Sequence, residues 1–385
     1  MVVELLAMAA ATQGQPDLPA LLAQVSATRM EGIVRKLAAY HTRNTLSETL
    51  NDAAAWVADE WRAIPGMQVE LMRYTLPRSR RVPEDKEVVQ VVATLPGETD
   101  RRILVGGHLD SLNLQVDAAT GRAPGANDDA SGVALTMELA RILATRKWRN
   151  TLVFVAFTGE EQGLYGSRAL ATRAKDEGWK IDGVLNNDTV GSSSNLQGQK
   201  EEKAVRVFSD EDAATGSREL ARFCEWAVRQ AMDDFRVKLV FRRDRFGRGG
   251  DHTPFAEAGF PAVRFIEVYE EYTRQHTPDD LPEHMDWAYL ERVAKANLAV
   301  MASMAAAGPA PTNVRIDRAQ GHDTTLTWNA EPDVRYTVYW RDTASPVWQG
   351  TFDAGAAGRY TVLGINKDDH FFAVAAHNGV PVPAQ

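Results

Sequence analysis

The chain has 385 residues, 44% of them hydrophobic and 25% charged, the proportions of an ordinary soluble globular protein and not of a disordered one. Its formal net charge of -9 argues against nucleic acid as a natural partner, because a phosphate backbone asks for a basic face. No stretch approaches the roughly 18 uncharged apolar residues of a transmembrane helix, and the single cysteine, Cys224, has no internal disulfide partner and reads as a buried, inert thiol in a helical pattern.

In chain order, Leu5 to Ala11 have the apolar texture of a secretory leader, but Glu4 stands where a basic residue belongs, so this end leaves export open. Residues 17 to 64 read as two helices, with Leu50, Ala54, Val57 and Trp61 recurring on one face as a core stripe. From Val88 the pattern switches to short apolar runs: Val88 to Leu95, Ile103 to Gly106, Leu152 to Phe157, Val184 to Leu185, Val205 to Phe208, Val237 to Phe241 and Ala262 to Ile266. Helical stretches at Ser131 to Thr145, Ser217 to Asp233 and Trp287 to Ala307 alternate with them. That alternation predicts an α/β fold, a mixed and mostly parallel central sheet with helices on both faces.

Gly308, Pro309, Ala310 and Pro311 form a punctuator that no helix crosses. The expected division is therefore a domain over 1–307, a linker over 308–312 and a small all-β sandwich over 313–385. Its strands are expected at Asn313 to Asp317, Thr324 to Trp328, Tyr336 to Trp340, Tyr360 to Leu363 and Phe371 to Ala375, separated by turn residues. With Trp328, the run Tyr336 to Arg341 and the run Phe371 to His377 in these places, the segment resembles a short fibronectin type III module.

Five acidic or imidazole clusters fall where strands should end, the place where α/β sheets present functional groups. His108 and Asp110 follow the strand at Ile103 to Val105; the imidazole can ligate a metal while Asp110 accepts its other ring proton, although a polar loop with a surface histidine fits the motif alone. Asn127-Asp-Asp129 opens a helix, where acids also serve as dipole complements. Glu160 and Glu161 end an apolar strand, and two carboxylates are costly there unless a cation holds one and the other moves protons. Asp188 ends another strand, where an isolated acid is also a turn former. His276 lies in a loop ahead of the last helix of the domain. Nitrogen and oxygen donors without sulfur suit two zinc ions sharing a bridging carboxylate.

In the order His, Asp, Glu-Glu, Asp, His, these motifs resemble those of the co-catalytic zinc aminopeptidases of metallopeptidase family twenty-eight, related to bacterial leucyl aminopeptidases, glutamate carboxypeptidase and glutaminyl cyclase. The resemblance spans roughly residues 25 to 305. It implies two zinc ions per chain: His108 and Asp188 on one, Glu161 and His276 on the other, Asp128 bridging both. Glu160 matches the general base, Asp110 and Asp280 match carboxylates that support the ligands, and Asp251 matches a position near the substrate. It further implies a cis peptide bond between Asp128 and Asp129. Where some relatives place a Tyr before the last His to steady the oxyanion, this chain has Gln275, with Tyr272 and Tyr269 as the substitutes at hand. The four arginines between Arg242 and Gly250 include Arg248, a candidate to approach the substrate, against the plainer reading of a solvated loop.

The function so implied is removal of N-terminal residues from peptides by a metal-activated water, with a peptide bearing a free N-terminus as partner. A carboxypeptidase, a glutaminyl cyclase and a metal-free, receptor-like ectodomain are the alternatives. A monomer is expected, secreted or periplasmic by analogy with exported enzymes that carry such β-modules.

Overall fold

The structure, a computed structural model, describes residues 16–80, 82–115, 119–210, 215–244, 249–319 and 321–385. The leader-like stretch Leu5 to Ala11 and Arg248 lie outside the described residues.

Side-chain caps fix the first two helices. Asp17 accepts from the Ala20 amide ahead of α1 (Leu18–Leu22), and Ser26 accepts from the Arg29 amide ahead of α2 (Ala27–Ala38), in each case satisfying an orphan N–H of the first turn. With α3 (Thr49–Arg62) the N-terminal segment thus has three helices where periodicity predicts two; α1 is too short to show a period. The stripe Leu50, Ala54, Val57 and Trp61 is buried.

Among the described residues the main sheet has eight strands. They are β1 (Gln68–Leu76), β2 (Lys86–Leu95), β3 (Thr99–His108), β4 (Asn150–Phe157), β5 (Lys180–Asn187), β6 (Ala204–Ser209), β7 (Arg236–Val240) and β8 (Ala262–Ile266), in the order β1-β2-β4-β3-β5-β8-β6-β7. The central block β4-β3-β5-β8 is parallel, and β1, β2 and the β6–β8 pairing are antiparallel. Every residue of β4 is buried, as an apolar run between two covered faces requires. β1 is absent from the sequence reading because it is an edge strand whose polar residues alternate with half-buried ones; only one side has a neighbour, so no continuous apolar run is needed.

One face is covered by α2, α3, α4 (Ser131–Leu143), α7 (Ser217–Ala231) and α9 (Trp287–Ala306), and the other by α6 (Tyr165–Asp176) and α8 (His252–Glu257). A short turn, α5 (Glu160–Gly163), joins β4 to α6. Among the described residues no helix is long and apolar enough to cross a membrane.

Beyond Pro311 two antiparallel sheets enclose a core of Val314, Leu326, Trp328, Tyr336, Val338 and Phe372. One contains β9 (Thr312–Ile316), β10 (Thr324–Asn329) and β13 (Arg359–Val362). The other contains β11 (Tyr336–Asp342), β12 (Gly350–Gly355), β14 (His370–Ala376) and β15 (Val382–Pro383). β12 and β15 are additions to the expected strands. The unit docks on α7: Trp226 meets Tyr339 edge to face at 5.5 Å between centroids, and Arg222 and Arg229 donate to the Pro346 and Trp348 carbonyls.

Candidate metal centre

Parallel strands deliver the acidic and imidazole groups to one edge of the sheet. His108 is the last residue of β3 and pairs in register with Phe157, the last of β4. Glu160 and Glu161 follow three and four residues later on α5, and Asp188 follows β5, the other neighbour of β3. Asp128 enters from the turn ahead of α4, and His276 from the loop between β8 and α9. These side chains line a cleft of about 270 Å³ with Gly163, Leu164 and Gly249.

Asp128 lies at the centre. Its Oδ1 is 3.0 Å from His108 Nε2 and its Oδ2 is 3.0 Å from His276 Nε2. Asp188 Oδ1 is 3.9 Å from His108 Nε2, and Glu161 Oε1 is 3.1 Å from His276 Nε2. Two trios result, His108–Asp128–Asp188 and Asp128–Glu161–His276, each with one donor atom per residue and all donor atoms within 4.8 Å of one another. His108, Glu160 and Glu161 meet the same criterion.

The electrostatics favour positive charge between these groups. Burial pushes the Glu160 carboxyl well above its ordinary range, and Asp188, Glu161 and Asp251 push it further, against the pull of His108. Burial likewise raises Glu161 and Asp188. Burial opposes charge on His276, yet hydrogen bonds to Asp128 and Glu161 outweigh it and lift the ring to about 11. Crowded carboxylates out of water stay ionised only beside cations. The donors are nitrogen and oxygen without sulfur, and one carboxylate spans two imidazole-bearing trios, so the residues fit a pair of zinc ions.

A second layer of acids holds the ligand segments through backbone amides. Asp129 accepts from the amides of His108, Gly132 and Thr189, joining β3, α4 and the turn after β5. A Cβ at Gly107 or Gly132 would come within about 2.6 Å of Asp129 Oδ2, so both positions need glycine. Asp280 accepts from the Asn127 and Asp128 amides at 2.9 Å each. The Asp128–Asp129 peptide bond is cis, as the resemblance implies. Three non-glycine residues here have left-handed backbone, Leu164 (φ 62°), Thr189 (φ 54°) and His276 (φ 59°); such conformations cost about 1–3 kcal/mol each and persist where surrounding structure dictates them.

Several expectations need correction. His108 Nδ1 lies 2.9 Å from the Asp110 carbonyl oxygen and 3.8 Å from its carboxylate, so the backbone orients the ring. The Asp110 carboxylate instead accepts from the Glu160 and Glu161 amides and the Thr45 hydroxyl, because the first turn of α5 exposes N–H groups that need acceptors. Asp251 is wholly buried, raised to about 7 by burial, and acts on Glu160 by charge without being among the cleft-lining residues. Tyr272 is 55% exposed and donates to Glu270; it is not among the cleft-lining residues. Gln275 reaches the centre itself, its amide donating to Asp128 Oδ2 at 2.6 Å.

Sequence reading also passed over Arg43 and Arg264, both fully buried. Arg43 donates to the carbonyls of Leu37, Leu109, Pro124 and Gly125, bracing the segments that carry His108 and Asp128. Nothing local marks it. Arg264 did carry a signal, a cation inside the apolar strand Ala262–Ile266, since such a charge is almost never buried unpaired.

Residues 90–301 match the family model described as Peptidase family M28. A "Probable zinc metalloprotease" of Leptosphaeria maculans is 37% identical over 404 aligned positions, covering 94% of each chain. The chain belongs to peptidase family M28. An aminopeptidase from Aneurinibacillus sp. strain AM-1 superposes with a TM-score of 0.58 at 18% identity, over 73% of this chain and 94% of that one. A glutaminyl cyclase from Fimbriiglobus ruber gives 0.58 at 19%, over 71% and 94%. At those identities the likeness is one of fold.

Proposed function

We propose that the protein is a two-zinc aminopeptidase that removes N-terminal residues from peptides. The observation that carries this reading is the split of Asp128, one oxygen toward His108 and the other toward His276, the arrangement a carboxylate shared by two ions needs. The name of the Leptosphaeria relative supports zinc, and the Aneurinibacillus neighbour supports an aminopeptidase. His108 and Asp188 would hold one ion, Glu161 and His276 the other, and Asp128 both. Zinc bound there supplies an acidified water near neutral pH and polarises the scissile carbonyl.

Glu160 stands beside these ligands on the cleft wall. Its carboxyl, pushed up by burial, is poised to take a proton from the attacking water and return it to the leaving amine. Asp110 fixes the amides of Glu160 and its neighbour, which keeps base and ligand in constant relation. Asp280 and Asp129 hold the Asp128 turn, and Gln275 directs an amide at its carboxylate.

The glutaminyl cyclase neighbour supports a second reading, cyclisation of an N-terminal Gln with loss of ammonia. A panel of aminoacyl p-nitroanilides, N-blocked peptides, C-terminal substrates and an N-terminal Gln peptide separates the two. Release of free amino acid from unblocked N-termini alone is expected. Ammonia from the Gln peptide, or cleavage only at C-termini, contradicts the aminopeptidase reading. We also read residues 1–307 as the catalytic domain and the β-unit as a fibronectin type III-like module, in a monomeric, exported protein.

A further inference from the structure

Strand β8 places a guanidinium behind a proposed zinc ligand. All five of its residues are buried, and Arg264 at its centre has no exposed surface. The parallel register sets Arg264 opposite Asn186 of β5, two residues before Asp188, and the Asp188 amide donates to the Phe265 carbonyl at 3.2 Å. Arg264 Nη2 then forms an ion pair with Asp188 Oδ2 at 3.1 Å, outside hydrogen-bond geometry, while the other oxygen of that carboxylate faces His108. Nη1 donates to the Gly249 carbonyl at 3.0 Å and lies 3.5 Å from Asp244 Oδ2. Gly250 closes the arrangement: a Cβ there would stand 3.2 Å from Arg264 Cδ and 3.4 Å from Asp188 Oδ2.

We propose that Arg264 is a positioning residue for the metal centre: it clamps Oδ2 of Asp188 so that Oδ1 alone is offered to the cation, and ties that ligand to Asp244 and Gly249 beside the cleft. The proposal rests on the two-zinc reading above. Gly249 lines the cleft, so one guanidinium links the ligand to its wall. A rigid guanidinium can set its charge against a carboxylate while donating to a carbonyl through its other nitrogen, which an ammonium on a flexible stem does poorly. A purely structural ion pair would behave differently. Replacing a buried pair by apolar groups of similar volume is often neutral or stabilising, whereas loss of a group that orients a metal ligand typically costs about 10- to 100-fold in metal affinity or activity.

The test is chelator competition on the full-length zinc-loaded protein, read as two release steps. In Arg264→Met one step should weaken by about 10- to 100-fold while the other holds, and Arg264→Lys should recover part of the loss. Asp188→Asn should weaken that same step, and adding Arg264→Met to it should cause little further loss, because neighbours acting through one contact are not additive. The clamp is overturned if neither step moves, if both weaken equally, if the affected step tightens, or if the two substitutions add. Should Arg264→Met fail to fold, Arg264→Lys carries the test, with a smaller weakening confined to one step. A wild type with fewer than two releasable zinc ions overturns the two-zinc reading and the clamp with it.

Discussion

Two cavities of nearly equal size lie at opposite edges of the main sheet. The cleft at the C-terminal ends of β3, β4 and β5 has a volume of about 270 Å³ and is walled by His108, Asp128, Glu160, Glu161, Asp188 and His276. The other, about 260 Å³, lies where the C-terminal sheets meet the N-terminal ends of β3 and β5, and is walled by Ile181, Met304, Val380, Pro381 and Val382 among others. It also has acids, but each faces an arginine of its own: Asp182 accepts from Arg101 Nε at 2.8 Å, and Glu219 pairs with Arg222. In the cleft the carboxylates face one another and two imidazoles. Volume alone therefore says little about chemistry; the convergence of like charges, held by buried amides and guanidinium groups, distinguishes the functional edge.

The comparison breaks most visibly at the ligands. Glu161→Ala should lose metal and activity together, since an oxygen donor leaves the trio shared with Asp128 and His276; metal analysis beside kinetics would show it, and full zinc with normal turnover would remove Glu161 from the centre. Where the β-unit docks on α7 the effects should be on stability alone. Trp348 is buried at the docking surface, 5.8 Å from Tyr339 between ring centroids. Trp348→Ala should cost about 3–5 kcal/mol by cavity formation in denaturant titration, with kcat/KM of the folded fraction unchanged. A selective loss of zinc in that variant would mean that the β-unit supports the site directly.

Gly132→Ala sharpens the contrast, because the added Cβ would meet Asp129 Oδ2 at about 2.5 Å. We expect a loss of about 1–3 kcal/mol from overpacking, accompanied by weaker zinc retention, measured by thermal melts with and without added zinc. The smallest effect should come from Asp182→Asn in the apolar cavity. Asp182 and Arg101 are both partly exposed, so the pair is worth at most about 1 kcal/mol and turnover should not change.

The sequence was most legible where chemistry is local. His108, the Glu160–Glu161 pair and Asp188 end or directly follow runs whose apolar pattern marks a strand, so the parallel fold brings them to one edge, where Asp128 joins them from the turn ahead of α4 and His276 from the loop ahead of α9. Less legible was anything decided by contacts between distant residues. Arg43 takes its meaning from carbonyls at Leu109 and Gly125, far along the chain. Arg264 takes its meaning from Asp188 across a strand pairing. That His108 leans on the carbonyl of Asp110 and not its carboxylate depends on where α5 places its amides, which spacing does not encode. β1 escaped because an edge strand tolerates polar residues, and Gln275 because a glutamine before a histidine has no chemistry until the loop folds against Asp128.

The roles of the adjacent glutamates are the most direct test of the proposed mechanism. Glu160→Gln keeps the shape of the side chain and leaves His108, Asp128, Glu161, Asp188 and His276 in place. Zinc content and turnover on a leucyl or alanyl substrate should be measured on the same preparation. We expect two zinc ions per chain with turnover reduced by a factor of about 10² to 10⁴, the usual cost of losing a general base. Full metal with near-normal turnover, or a zinc-depleted protein, would contradict the assignment of Glu160 as the base beside an intact metal pair.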